Sequence, residues 1–258
     1  MRFQWLVLAL FMLALVLDHR VLWPSFVRRV ARDPARARRV LWMQWVAMLW
    51  ICSILVLGLW FVRDRSLDAL GLDMPTGWRL WAPVVAIVAF ACLQVDSAVR
   101  IGHRKGDNAR LRRQLGATGL ILPHETSELL GWLGVSISAG FCEELLFRGF
   151  VMWMLEPVLG VWLAAITSLA LFAAAHAYQG LGGLARSALL GAALTALVLV
   201  TRSLWPAIAM HAVIDGMGGW IGWVILRDRA APSLTQGITS AVPCVQVSPP
   251  RRSATRCR

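Results

Sequence analysis

Seven apolar runs divide this chain, and they constrain it more than any other feature. They cover residues 3–17, 40–62, 78–95, about 129–155, about 158–177, 184–200 and 204–226. A helix that crosses a bilayer needs about 20 apolar residues. The second and seventh runs meet that length, the third and sixth fall a little short, and the first is marginal. Across the 258 residues 58% are hydrophobic and 16% charged, and the mean hydropathy is +0.64. One water-soluble core cannot hide that much apolar surface, and a disordered chain needs the opposite composition. A membrane protein is therefore expected.

The basic residues fit the same reading. Lys plus Arg number 26 against 14 Asp plus Glu, and Lys105 is the one lysine. A net charge of +12 suits a nucleic-acid binder. Here the arginines fill the gaps between apolar runs, so no nucleic-acid partner is expected and the bilayer itself is the expected surroundings. Basic residues mark the cytoplasmic side of a membrane protein. With seven spans, the gaps 18–39 and 96–128 and the tail after 226 fall on one side with 19 basic residues, against five on the other. That split predicts an outside amino terminus and an inside carboxyl terminus. A bacterial inner (plasma) membrane is the expected location.

Three divisions are expected: residues 1–125 with the amino-terminal spans and basic loops, 126–228 with the polar membrane core, and 229–258 as a disordered Pro/Ser/Arg-rich tail. The run at 3–17 resembles a signal peptide in its basic start, but no A-x-A site follows, so a retained span is expected. Cys257 stands second from the end and makes no prenylation signal. The five cysteines form no CxxC pair.

Charge inside a span is costly, about 2.5–3.5 kcal/mol for a central Asp, Lys or Arg, so each instance needs a reason. Three clusters stand out. In Glu143-Glu144-Leu145-Leu146-Phe147-Arg148, helical spacing puts Glu144 and Arg148 on one face as a pair and leaves Glu143 without a local partner. In Phe172-Ala173-Ala174-Ala175-His176 an aromatic ring and an imidazole share a face. In His211-Ala212-Val213-Ile214-Asp215 the aspartate is placed to orient the histidine. Each cluster alone has a plain structural explanation, as an ion pair at a helix end, an interfacial histidine or a polar helix contact. Polar side chains in a bundle turn inward and meet, so three together point to one interior site. The expected fold is all-α: a polytopic transmembrane helix bundle of about seven spans with an interior polar site. Two chemistries suit it: a water activated by a carboxylate, or a metal held by two His and a carboxylate. Cys142 reads as a small packing residue.

The order EExxxR, FxxxH, HxxxN/D, each on its own membrane helix, resembles the CAAX prenyl protease and bacteriocin-processing (CPBP, or Abi) family of intramembrane glutamate proteases. The motif region spans about 120–220. The resemblance implies a membrane endopeptidase in which Glu143, helped by His176, activates water, while His211 and Asp215 hold the oxyanion or the substrate. Glu144, Arg148 and Phe172 would support the site. The implied substrate is a membrane-associated or lipidated protein or peptide. No cofactor is implied, zinc being left open, and no HExxH is present. Asp215 stands where the prenyl-processing members carry Asn, and an ionised Asp cannot donate a hydrogen bond to an oxyanion. A non-catalytic immunity or scaffold protein, a metal-dependent protease on the same residues and a proton-relay transporter are the competing readings. The sequence leaves the oligomeric state open.

Overall fold

In a computed structural model, residues 2–103 and 109–227 are described, and all of them lie in one unit that ends at Asp228. The tail expected over 229–258 falls outside the described residues. Among the described residues every regular element is helical.

The first helix is longer than its apolar run. α1 (Arg2–Leu17) continues through a π-helical turn at Asp18–Leu22 into α2 (Trp23–Val30). The stretch Phe3–Val30 is thus one helix of 28 residues. This corrects the expected loop over 18–39. Hydropathy marks where the membrane ends, not where helical backbone ends, and arginine is a good helix former. The break is confined to residues 31–33. There the Asp33 side chain accepts from the Arg36 N–H at 3.0 Å, with Pro34 in the first turn of α3 (Pro34–Val62). Both are favourable start signals.

α4 (Trp78–His103), the short α5 (Ala109–Leu115) and α6 (Thr118–Ile121) lead to the helical stretch Thr126–Ala175. That stretch has 50 residues. Straight, it would measure about 75 Å at about 1.5 Å per residue, over twice the thickness of a bilayer core. It does not run straight. α7 (Leu129–Glu143) passes through a π-helical segment, Glu144–Val151, into α8 (Met152–Ala175), which breaks at Gly160 (φ 74°, ψ 162°). Only glycine adopts that backbone readily. Beyond it the chain doubles back, and Ser168 Oγ donates to the Phe147 carbonyl at 2.6 Å. Residues that far apart in sequence would be about 30 Å apart along one helix. The stretch therefore makes two passes. With α9 (Gly180–Thr201) and α10 (Trp205–Leu226), the six long apolar stretches make seven passes.

α7 is the central element, packed against α3 on one side and α10 on the other. Its contact with α10 depends on Gly140. A Cβ there would stand 2.9 Å from the Ala212 nitrogen and 3.0 Å from the Ile208 carbonyl oxygen. Backbone atoms cannot swing aside. Gly140→Ala is expected to lower stability by about 1–3 kcal/mol, as overpacking does. Thermal unfolding in detergent checks it. The aromatic core lies beside this contact: Phe147 meets Phe172 edge-on at 5.4 Å and Phe11 of α1 at 5.1 Å. Large apolar side chains such as Ile51, Ile54, Val85, Trp162 and Ile166 face outward, as the bilayer requires.

The entry to α7 is fixed by a buried ion pair. Arg38 of α3 donates from Nε and Nη2 to the two carboxylate oxygens of Glu128, at 2.9 and 3.0 Å. Glu128 also accepts from the backbone N–H of His124 at 2.8 Å. The His124 ring packs beside them, with Nε2 2.9 Å from the Gly119 carbonyl. Burial pushes this imidazole below its ordinary value of 6.5; the Gly119 carbonyl opposes the shift and the Arg38 charge adds to it. The folded state thus takes up the proton less readily than the unfolded chain. Stability from this group is present above the unfolded value and is lost as the pH falls through it. Unfolding temperature is expected to drop between about pH 7.5 and about pH 5.5, and less so in His124→Gln. Parallel melting curves test this.

Candidate active site

Eight successive buried residues, Glu144–Val151, form the π-helical segment. A π turn inserts an extra residue into the helix and re-aims the side chains around it, and such turns recur at functional sites. Here it falls on the Glu-Glu motif, at the level where α8, α9 and α10 converge.

Glu144 is fully buried. Its Oε1 accepts from Arg148 Nη1 at 2.9 Å and from His211 Nδ1 at 2.8 Å. Arg148 spends its other donors on α9, from Nη2 to the Gly191 carbonyl at 3.1 Å and from Nε to Thr195 Oγ1 at 3.3 Å. Its guanidinium lies 4.2 Å from the centre of the Phe172 ring, a cation–π contact. The expected Glu144–Arg148 pair is present, and it ties the π segment to three other helices. The Phe172 ring also contacts His176, whose ring centre is 4.7 Å away.

Glu143 takes the opposite course. Its Oε2, like Glu144 Oε2, is buried without a hydrogen bond, but Glu143 lacks the two bonds that Glu144 makes through Oε1. His176 Nε2 lies 3.9 Å from Glu143 Oε2, too long for a direct bond. His176 Nδ1 lies 2.9 Å from the Phe172 carbonyl oxygen, which only accepts, so the neutral ring carries its hydrogen on Nδ1. Nε2 then presents a lone pair to a carboxylate. Two acceptors facing each other across that distance call for a donor between them, and a water molecule supplies two hydrogens.

His211 and Asp215 also come together, but not as their spacing suggests. His211 Nε2 is 3.6 Å from Asp215 Oδ2, while Nδ1 makes the short bond to Glu144. Glu144 therefore orients this ring, in place of the orienting role expected for Asp215. The reason is tertiary: helical spacing reports neighbours on α10 alone, and the Gly140 contact brings α7 within reach. The Asp215 backbone is pinned as well, its carbonyl accepting from Trp132 Nε1 at 2.9 Å.

Glu143, His176, His211 and Asp215 all line one cavity of about 390 Å³. Glu144 and Arg148 stand behind its wall. Cys142 is free and fully buried, pointing to none of this chemistry. Among the described residues, no three His, Cys, Asp or Glu side chains converge as metal ligands.

The cavity has polar members that sequence reasoning missed. Asp18 and Trp45 line it from the first two long helices, and Tyr178 lines it from the turn after α8. Asp18 follows the apolar run, so hydropathy alone places it in a loop. The available signal was helical spacing, since Phe11, Leu15 and Asp18 fall on one face if α1 continues.

Comparison with curated proteins and with solved structures finds no match. Residues 125–217, which hold all three motifs, match the protein family described as type II CAAX prenyl endopeptidase, Rce1-like, the family group that the motif order resembles.

Proposed function

We propose that this chain is an intramembrane endopeptidase that hydrolyses a peptide bond of a membrane-associated or lipidated substrate with a water activated by Glu143. The observation that carries this reading is the unpartnered Glu143 carboxylate, set 3.9 Å from the lone pair of His176 Nε2 in a cavity large enough for a peptide segment. In the reaction, water between them gives a proton to Glu143 and its oxygen bonds to the scissile carbonyl carbon. The tetrahedral adduct then expels the amine, which takes up that proton, and the C–N bond breaks to leave a carboxylate and an amine. His176 keeps Glu143 and the water aligned. His211 and Asp215, across the cavity, hold the carbonyl oxygen or the substrate backbone. Glu144, Arg148 and Phe172 keep His211 and the π segment in place. No cofactor enters these steps. The family match supports a CAAX-protease-like hydrolase; the glutamate mechanism and a bacterial inner-membrane location are our reading. The test uses purified full-length chain in lipid nanodiscs with a library of apolar peptides, prenylated and unmodified. The wild type should release fragments that Glu143→Gln does not. Identical products from both would overturn the role of Glu143, and no products from either would overturn the endopeptidase reading and favour a scaffold or immunity role.

A further inference from the structure

One wall of the cavity is built for a positive charge that the chain itself does not supply. Asp18 is buried, at 8% exposure, where the first long helix leaves its apolar run. Its Oδ1 accepts from Trp45 Nε1 at 2.7 Å. Among the described residues it forms no ion pair. A buried carboxylate without an ion-pair partner is costly, which makes it a candidate functional position. Its surroundings are aromatic. The Tyr178 ring centre lies 5.6 Å from Trp45 and 4.7 Å from Trp23, and 6.2 Å from the His176 ring. Trp45 turns its N–H edge to Asp18, and the Tyr178 ring, which also lines the cavity, adds a π surface of the kind that attracts cations. The charge balance of the cavity agrees, since Asp18, Glu143 and Asp215 all line it. Arg186 lines it too, but it is exposed and its Nε donates to the Gly182 carbonyl on its own helix.

We propose that Asp18, Trp45 and Tyr178 form a subsite that binds a lysine or arginine side chain of the substrate close to the scissile bond. The proposal rests on the endopeptidase reading. Tyr178 stacks beside His176, so a cation seated against Asp18 lies within a few residues of the bond that Glu143 and His176 address. The π turn at Asp18–Leu22 serves this placement. It keeps a polar residue turned inward where an apolar helix would otherwise face lipid.

The test uses the full chain in nanodiscs and matched peptides that differ at one position, carrying Lys, Arg, Gln or Glu near the cleaved bond. The wild type should cleave the basic peptides with kcat/KM at least about tenfold above the Gln peptide, the range expected for a charge-assisted contact in a partly dry site. Asp18→Asn should lower that ratio about tenfold, mainly through KM on the basic peptides. The ratio cancels any loss shared by all peptides, and Asn still accepts from Trp45. Tyr178→Leu should also lower the ratio, and Tyr178→Phe should keep it. Equal cleavage of basic and neutral peptides by the wild type, or a preference that survives Asp18→Asn, would overturn the subsite and leave the protease reading intact. A lipid choline headgroup offers the same cationic chemistry. Repeating the series with and without phosphatidylcholine separates the two sources. An unchanged ratio supports a substrate side chain. Activity that follows choline lipid in the wild type but not in Asp18→Asn would overturn it. No cleavage of any peptide by the wild type would overturn the subsite and the endopeptidase reading together.

Discussion

Replacing Glu143 by Gln is expected to abolish peptide cleavage while leaving the protein folded at least as stably as the wild type. The rate loss should be about 10²–10⁴-fold, the usual contribution of a general base. The stability expectation follows from geometry. Glu143 Oε2 is buried without a hydrogen-bond partner, so its charge contributes little to the fold against the cost of burying it. Gln keeps the shape and removes a desolvated anion. A residue whose loss silences the reaction and relaxes the structure is one held in place for chemistry. Glu144→Gln should behave differently. Its oxygen holds both Arg148 and His211, so that variant should lose stability as well as rate. Melting curves beside cleavage assays separate the two carboxylates.

The largest stability loss is expected from Arg148→Met. The side chain is 3% exposed and donates to Glu144, Gly191 and Thr195 while covering Phe172. Its removal strands a buried carboxylate and a carbonyl oxygen. Breaking one side of a buried pair costs about 3–5 kcal/mol, or about 10 °C in unfolding temperature for a chain of this size. The double variant Glu144→Gln/Arg148→Met should regain a good part of that loss, because the stranded charge is gone. Its activity should stay reduced, since a neutral amide oxygen in place of the Glu144 carboxylate holds His211 more weakly. A single variant as stable as the wild type would show that the Arg148 network does not hold these helices together.

How much of this could be read from the residues differs by feature. The helical class and the seven passes follow from apolar run lengths, which report the thickness of a bilayer directly. The Glu144–Arg148 pair follows from spacing on one helix. The partner of His211 does not, because it depends on how closely α7 and α10 approach, and that is set by a hydrogen atom at Gly140 rather than by any polar residue. Asp18 was hidden for a related reason. It follows the last apolar residue of its run, and hydropathy reads that as an exit from the membrane. The helix continues through a π turn, which leaves no trace in hydropathy. The Gly160 reversal is the intermediate case: the residue is a visible breaker, but the gap between the fourth and fifth apolar runs lies a few residues before it.

The central claim is that Glu143 activates water against peptide bonds. The most direct test is mass spectrometry of peptide ends in native membranes, comparing wild type with Glu143→Gln at equal expression. New carboxyl and amino ends are expected with the wild type and not with Glu143→Gln, and these ends identify the substrate and its cleaved bond. The same set of ends in both membranes, with both proteins folded, would contradict the claim.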